Sequence, residues 1–340
     1  MGCAWLLAPR GFPLRACGAV WMVPMFAVQP PGPAPGEAWI DVLDVGNGLA
    51  VVARTATHAL AYDAGPTWTS ESDSGNRIVV PFLRGEGIAR LDGLIVSHAD
   101  DDHYGGAASV ATSREPEWLL SPLAGDDVLH QLVPRSIRCE AWLRWRWDRV
   151  ELAVLHPGAE IYGGHPDGGG HPGGGRGPII GSRPPAYGLP GQAAKGRQRK
   201  ENDRGCVVKV STAGASMLLA ADVEARSEAE MIARDAASLR ADILLIPHHG
   251  SKTSSTPAFI DAVAAKAGIL SVGYRNRFHH PNAAVVARYA ERGVELRRTD
   301  REGALRIVLP SEGTPTVAGQ QEACRYWSER PCAAGLKMSP

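Results

Sequence analysis

Leu94-Ile95-Val96-Ser97-His98-Ala99-Asp100-Asp101-Asp102-His103-Tyr104-Gly105-Gly106 is the stretch that decides the fold. It opens on a brief apolar run bounded by polar residues, the pattern of a buried strand. Two histidines and three carboxylates follow, and two glycines close the segment. So much charge enters a fold only if it is paired or bound to a cation. His98, Asp100, Asp102 and His103 leave the end of one strand at close spacing, so their side chains can converge. Imidazole nitrogen and carboxylate oxygen both ligate divalent transition ions. One His beside one Asp would read as a solvated acidic turn. H-x-D-x-D-H between an apolar strand and Gly-Gly predicts a metal loop.

The rest of the chain fits an α/β domain around that loop. Its 340 residues allow one large domain with appendages, and its formal net charge is zero, so nucleic-acid contact would have to come from a local patch. The six cysteines include no C-x-x-C pair and suggest neither a zinc ribbon nor a dense disulfide framework, although Cys324 and Cys332 lie close enough in sequence to bridge in an oxidising compartment. Residues 1–36 stand apart. Ala16 to Val28 is largely apolar, with Arg10 and Arg15 before it and a Pro-rich run after it. It is short for a membrane span, which needs about 20 residues, and it has the shape of a signal peptide without a clean cleavage site. A disordered apolar leader is the third reading. If it does cross a membrane, the preceding arginines place everything after residue 36 outside the cytoplasm.

From Ala38 the chain reads as a strand meander, through the turn Gly46-Asn47-Gly48 to Asp63-Ala64-Gly65. A helix over 77–87 leads into the metal loop, and a second begins at Ala107. Trp142, Trp145 and Trp147 alternate with arginines; the core face of an edge hairpin explains them better than a base-stacking platform. Residues 158–200 are Gly- and Pro-rich and end in Lys195-Gly196-Arg197-Gln198-Arg199-Lys200. They read as a disordered surface loop within the domain, in which His165 and His171 are not ligands. Order returns near Asn202. A strand over 216–221 delivers Asp222, which on local pattern alone could cap the following helix over 224–239. A strand over 242–247 delivers His248-His249-Gly250-Ser251, two adjacent histidines of which one can reach metal while the other packs. A last strand runs into Gly273-Tyr274-Arg275-Asn276-Arg277-Phe278-His279-His280-Pro281. The domain reads as 37–312, and 313–340 as a tail with little core signal.

With these motifs quoted, the chain resembles the metallo-β-lactamase superfamily, whose signature at this point is H-x-H-x-D-H. Asp100 replaces the second His, and that variant is similar to the C-terminal domain of the ComEC family of DNA-uptake proteins. The resemblance covers about residues 37–310 apart from the Gly-rich insert. It departs in detail at Asn47, where the family has Gln, and at Ala221, where it has Gly. It implies a four-layer αββα sandwich with the metal loops along one sheet edge, and makes the N-terminal apolar segment the remnant of a last transmembrane helix. It implies two divalent ions, one held by His98 and Asp100, the other by Asp102, His103 and His248, with Asp222 bridging. Asn202 and Asp63 become weak ligands or hydrogen-bonding neighbours. Asp102 and His280 become catalytic, with His280 a proton donor or phosphate ligand, and Arg275 and Arg277 phosphate contacts. The oxygen-rich first position shifts the preference away from Zn²⁺ toward Mn²⁺ or Mg²⁺, and of the three Mn²⁺ is favoured.

The function so implied is a metal-dependent nuclease acting on DNA, single-stranded in preference, at the bacterial inner membrane with its soluble domain outside the cytoplasm. A small-molecule metallo-hydrolase of the same fold, a phosphodiesterase or esterase, and a non-catalytic DNA-binding relic are the rivals. Asp100 argues against a lactamase, which uses three histidines there. The intact His98, Asp100, Asp102, His103, Asp222 and His248 argue against a relic.

Overall fold

The computed structural model describes residues 2–9, 11–23, 30–162 and 199–320. The first half of the domain supplies β1 (Ala38–Val42), β2 (Ala50–Arg54), β3 (Ala59–Ala64), a small hairpin of β4 (Thr67–Thr69) and β5 (Ser72–Asp73), β6 (Gly93–Ile95), β7 (Trp118–Ser121) and β8 (Ser136–Arg138). The second half supplies β9 (Arg144–Trp147), β10 (Val150–His156), β11 (Val207–Ser211), β12 (Ser216–Leu219), β13 (Ile243–Leu245), β14 (Ala267–Leu270) and β15 (Glu295–Arg298). The chain then returns to the first sheet through β16 (Leu305–Leu309) and β17 (Thr316–Gly319). One sheet has the order β17-β16-β1-β2-β3-β6-β7-β8, the other β15-β14-β13-β12-β11-β10-β9.

Strand alternation builds the layers. In β13, Ile243 and Leu245 enter the core between the sheets with Ile40, Tyr62, Ile95, Trp118 and Trp145, while Leu244 faces the other way. Leu244 and Leu218 pack there on Met231, Phe259 and Val285 of the helices Ala225–Asp235, Pro257–Val263 and Ala283–Ala290. On the opposite side Val52 and Leu94 pack on Leu83 and Val110 of the helices Val80–Gly85 and Ala107–Arg114. The result is the expected helix–sheet–sheet–helix sandwich.

Two runs of parallel strands matter for the site: β3-β6-β7-β8 and β12-β13-β14-β15. The carboxyl ends of these strands and the loops leaving them carry Asp63, His98–His103, Asp222, His248–His249 and Ser271, so parallel pairing within each sheet and the packing of the two sheets bring those segments to one edge.

Several expectations change. Trp145 and Trp147 are buried on the edge strand β9, as a core face requires, whereas Trp142 is exposed. The run from Thr314 is not without structure, because β17 pairs with β16 through Thr316 to Gly319. Of the basic run before Asn202, the described Arg199 and Lys200 are engaged by Glu230 and Glu224. His165, His171, Cys324, Cys332 and most of the Gly-rich segment lie outside the described residues. The N-terminal stretch forms a short helix, Gly2–Leu6, and a 3₁₀ segment, Arg15–Met22. Among the described residues no helix is long and apolar enough to cross a membrane.

A covalent tie is the feature least visible beforehand. Cys139, just after β8 in the first sheet, is disulfide-bonded to Cys206, just before β11 in the second, with Cα atoms 6.0 Å apart. Both are buried. Cys206 N–H donates to Ser97 O (2.9 Å) and Cys206 O accepts from Tyr62 OH (2.7 Å), so the bridge sits directly under the metal loop. Closing a 67-residue loop stabilises a fold by about 4 kcal/mol on chain-entropy grounds.

Candidate metal centre

The loop after β6 owes its shape to tight backbone contacts. A Cβ on Gly105 would lie 2.2 Å from Thr67 N, and one on Gly106 2.4 Å from Ala64 O. The two glycines let the short helical turn Asp101–Tyr104 press against the end of β3. Leu49 N–H donates to Asp102 O (2.9 Å), fastening the turn after β1 to the same loop.

Three histidines present the same nitrogen inward because the protein occupies the other one. His103 Nδ1 lies 2.7 Å from Asp63 Oδ2 and, as the donor, leaves Nε2 facing Asp222 Oδ1 at 3.1 Å. His249 Nδ1 donates to Ser271 O (2.7 Å), leaving Nε2 3.4 Å from Asp102 Oδ2 and 3.6 Å from Asp222 Oδ2. Ser97 Oγ donates to Asp63 Oδ2 (2.7 Å) and accepts from His98 Nδ1 (2.9 Å). His98 Nε2 is buried and, among the described residues, has no hydrogen-bond partner, with Asp100 Oδ2 3.4 Å away. Hydrogen-bonded support of this kind orients imidazoles that bind metal.

Asp102, His103, Asp222 and His249 form one group, with a ligand atom from each lying within 4.8 Å of all the others. Asp222 is not a helix cap: the helix Ala225–Asp235 takes Glu224 at that position, and the left-handed Ala221 (φ 49°) turns the chain just before Asp222, a buried residue. His249, rather than His248, contributes to the four-residue group. His248 Nε2 is 3.7 Å from Asp222 Oδ2, while its Nδ1 lies near Thr253 Oγ1 (3.2 Å) and Glu224 Oε1 (3.6 Å). Both histidines have left-handed backbones (φ 52° and 51°), so strand alternation cannot tell which faces inward. Asp63 stands behind His103 and Ser97 rather than in the group. Asn202 sits in the 3₁₀ turn Glu201–Arg204, and among the described residues no hydrogen bond joins its side chain to the group. Ser97 and Ser271, which orient His98 and His249, carry no recognisable motif in the sequence.

His280 lies at the rim, its ring centroid 6.1 Å from that of His248. Burial, then His249 and His248, push it below the ordinary imidazole range. Arg275 and Arg277 are exposed on the same loop. Among the described residues neither is paired with a carboxylate.

The donor set fits a divalent cation. Burial alone would raise the Asp222 carboxyl, but His103 and His249 hold it well below the usual range. Burial likewise disfavours charge on His103, yet Asp222 and Asp63 outweigh it and hold that imidazole well above its usual range. His249 is raised for the same kind of reason, by Asp222 and Asp102 against burial. Without metal the carboxylates keep protons on their histidines. The raised imidazoles stabilise the metal-free fold below an unfolded pKa of about 6.5, and that contribution is lost as pH rises through their folded values. The depressed Asp102 and Asp222 contribute above an unfolded pKa of about 3.9, a contribution lost as pH falls through their folded values. Loading with Mn²⁺ near neutral pH is therefore expected to release protons and to tighten from pH 6 to pH 8. Titration calorimetry in two buffers of different ionisation enthalpy reads this directly. Equal heats in both buffers with a constant Kd would contradict it.

Comparison with known proteins agrees with this architecture. Residues 43–176 match the family model described as the metallo-β-lactamase superfamily. The chain is 29% identical over 328 residues to competence protein ComA of Neisseria gonorrhoeae, covering 96% of this chain and 40% of that protein. It is 30% identical over 295 residues to YcaI of Escherichia coli (strain K12), described as uncharacterized, covering 87% of this chain and 33% of that protein. ComE operon protein 3 of Bacillus subtilis (strain 168) is 27% identical over 281 residues, covering 79% of this chain and 33% of that protein. The chain thus spans well under half the length of these relatives. Over most of its length the chain is thus similar to the ComA/ComEC-family competence proteins, and residues 43–176 match the metallo-β-lactamase superfamily.

Proposed function

We propose that the chain is a metal-dependent nuclease that cleaves DNA, single-stranded in preference, in competence-related uptake. The observation carrying this reading is the convergence of three Nε2 atoms, from His98, His103 and His249, with Asp100, Asp102 and Asp222 at one sheet edge, in a homologue of competence proteins. One cation would be held by Asp102, His103, Asp222 and His249, and a second by His98 and Asp100 with Asp222 between them. The oxygen share of that set disfavours Zn²⁺, and its three imidazoles favour Mn²⁺ over Mg²⁺. Bound divalent ions would polarise the phosphodiester and stabilise the charge that develops during in-line attack by water.

The chain's own residues do the rest. Asp63, Ser97 and Ser271 fix the imidazole orientations before substrate arrives, which avoids reorganisation during reaction. Held neutral near pH 7, His280 serves as a hydrogen-bond partner of the phosphate rather than a ready proton donor. Arg275 and Arg277 reach the flanking phosphates. Membrane association through the N-terminal segment or a separate channel part, with the domain outside the cytoplasm, belongs to the same reading. The buried Cys139–Cys206 bridge supports that side, because disulfides persist in oxidising compartments.

Cleavage of an end-labelled single-stranded oligonucleotide by the full chain, titrated with Mn²⁺, Mg²⁺ and Zn²⁺, tests the proposal. Mn²⁺-dependent cutting should fall at least about a hundredfold in Asp102→Ala. A folded, metal-loaded protein that cuts no DNA but hydrolyses bis(p-nitrophenyl) phosphate would point to a small-molecule phosphodiesterase instead.

A further inference from the structure

The loop between β14 and the helix Ala283–Ala290 carries two aromatic side chains that the metal centre does not use. Tyr274 is 73% exposed and Phe278 50% exposed, unusual for rings that could have been buried in a core of this size. Each has an arginine over its face: Arg275 lies 5.2 Å from the Tyr274 ring centroid, and Arg277 4.8 Å from that of Phe278. Phe278 is near-parallel to His280, at 15° and 5.9 Å between centroids. A line of rings therefore runs from Phe278 through His280 to His248, whose Nε2 is 3.7 Å from Asp222.

The loop is built to hold this display. Asn276 Nδ2 donates to His280 O (2.7 Å) and to Gly273 O (3.2 Å), and Asn276 Oδ1 accepts from His280 N–H (2.9 Å). One side chain thus closes the loop across its base, while left-handed Arg275 (φ 52°) and His279 (φ 56°) turn the chain around it. Gly273 lets the loop's start lie against the turn after β1, since a Cβ there would meet Asn47 N at 2.8 Å. The four side chains between are left facing solvent beside the centre.

We propose that Tyr274 and Phe278, each with its neighbouring arginine, form a base-stacking clamp that makes the adjacent site select nucleic-acid strands with unpaired bases. The proposal rests on the nuclease reading for what happens to the strand, but its binding step stands apart from cleavage. Bases present a π face whatever their identity, and aromatic rings and guanidinium planes both stack on them. Two such pairs at neighbouring positions engage successive bases. In a duplex those faces are occupied by neighbouring base pairs, so paired DNA gains only the phosphate contacts. The flanking phosphates meet the two guanidinium groups, which supplies the charge complementarity. Tyr274 and Phe278 determine specificity; they hold no cation.

The test uses the full chain in EDTA, so that no cleavage occurs, and fluorescence anisotropy with labelled 12-nucleotide strands. An oligo-dT strand is compared with an abasic strand of the same length and with duplex. The native chain should bind the base-bearing strand on the order of a hundredfold more tightly than either. Tyr274→Ala and Phe278→Ala should each lower affinity for oligo-dT by about tenfold, leave the abasic strand unaffected, and together bring the ratio near unity. Arg275→Ala with Arg277→Ala should weaken all three ligands and flatten their salt dependence. Thermal melts establish that each variant is folded. A ratio near unity in the native chain, or an unchanged ratio in the double aromatic variant, overturns the clamp. So does binding to phosphatidylglycerol vesicles that depends on Tyr274 and Phe278 while the ratio stays at unity, since the loop would then be a membrane contact. Cleavage without base preference would leave the nuclease and remove the clamp; base preference without cleavage would do the reverse.

Discussion

Asp222→Asn is expected to reduce the proposed metal-dependent phosphodiester hydrolysis by about a thousandfold or more, equivalent to roughly 4 kcal/mol of barrier. The substitution keeps the shape of the side chain and removes its charge. That charge faces His103 at 3.1 Å, His249 at 3.6 Å and His248 at 3.7 Å, and among the described residues no other carboxylate approaches all three. The loops that meet here are also joined by His248 N–H donating to Ala221 O (3.0 Å), so an isosteric change leaves the backbone in place. Asparagine cannot hold protons on His103 and His249, nor offset the charge of a cation. Metal content should fall with activity. Measuring bound Mn²⁺, hydrolysis and the melting transition of the same preparation separates loss of the centre from loss of the fold. A variant that keeps native metal stoichiometry and rate would show that Asp222 is only structural.

Asp63→Ala is expected to lower stability by about 3–5 kcal/mol, because it strips the partner from groups with no access to water. For a domain of this size that corresponds to a fall in Tm on the order of 10 °C. Asp63 is fully buried and accepts from Ser97 N–H (2.6 Å), Ser97 Oγ–H (2.7 Å) and His103 Nδ1–H (2.7 Å). Its backbone is left-handed (φ 58°), a conformation that Asp and Asn tolerate better than Ala. Asp63→Asn should therefore melt closer to the native protein. It should nonetheless lose about 10–100-fold in metal affinity, because an amide no longer orients and polarises His103. An alanine variant melting within 2 °C of the native chain, a cut-off at roughly a fifth of the expected shift, would remove Asp63 from its orienting role.

How far the sequence reveals this centre depends on how local each part is. His98 to His103 lie within one turn of a strand end, so spacing alone announces them. On local pattern alone Asp222 could be a cap as well as a ligand, and the parallel pairing of β12 with β13 brings it to the histidines. The choice between His248 and His249 is invisible for a sharper reason. Strand logic stops at Pro247, and two consecutive left-handed residues then turn the inner imidazole toward Asp102. Ser97 and Ser271 act through hydrogen bonds to rings distant in sequence or set by local rotamers, and nothing in their neighbours signals this. The αββα order follows from the alternation of strands and helices. β17 does not, since Thr316 to Gly319 lacks an apolar pattern and is a strand because β16 offers an edge. The pairing of Cys139 with Cys206 is likewise a product of topology, which lays the end of β8 against the start of β11.

That pairing has a consequence for chain integrity. The Gly-rich segment lies wholly between Cys139 and Cys206 in the sequence, so a protease cutting anywhere within it produces two polypeptides that remain one molecule. The amino-terminal fragment keeps His98 to His103, the carboxyl-terminal fragment keeps Asp222, His248 and His249, and the sulfur bridge retains both halves of the centre together. A nicked protein would run as a single band on a non-reducing gel and as two after reduction. The covalent bridge thus keeps the two halves of the centre within one molecule after such a cut.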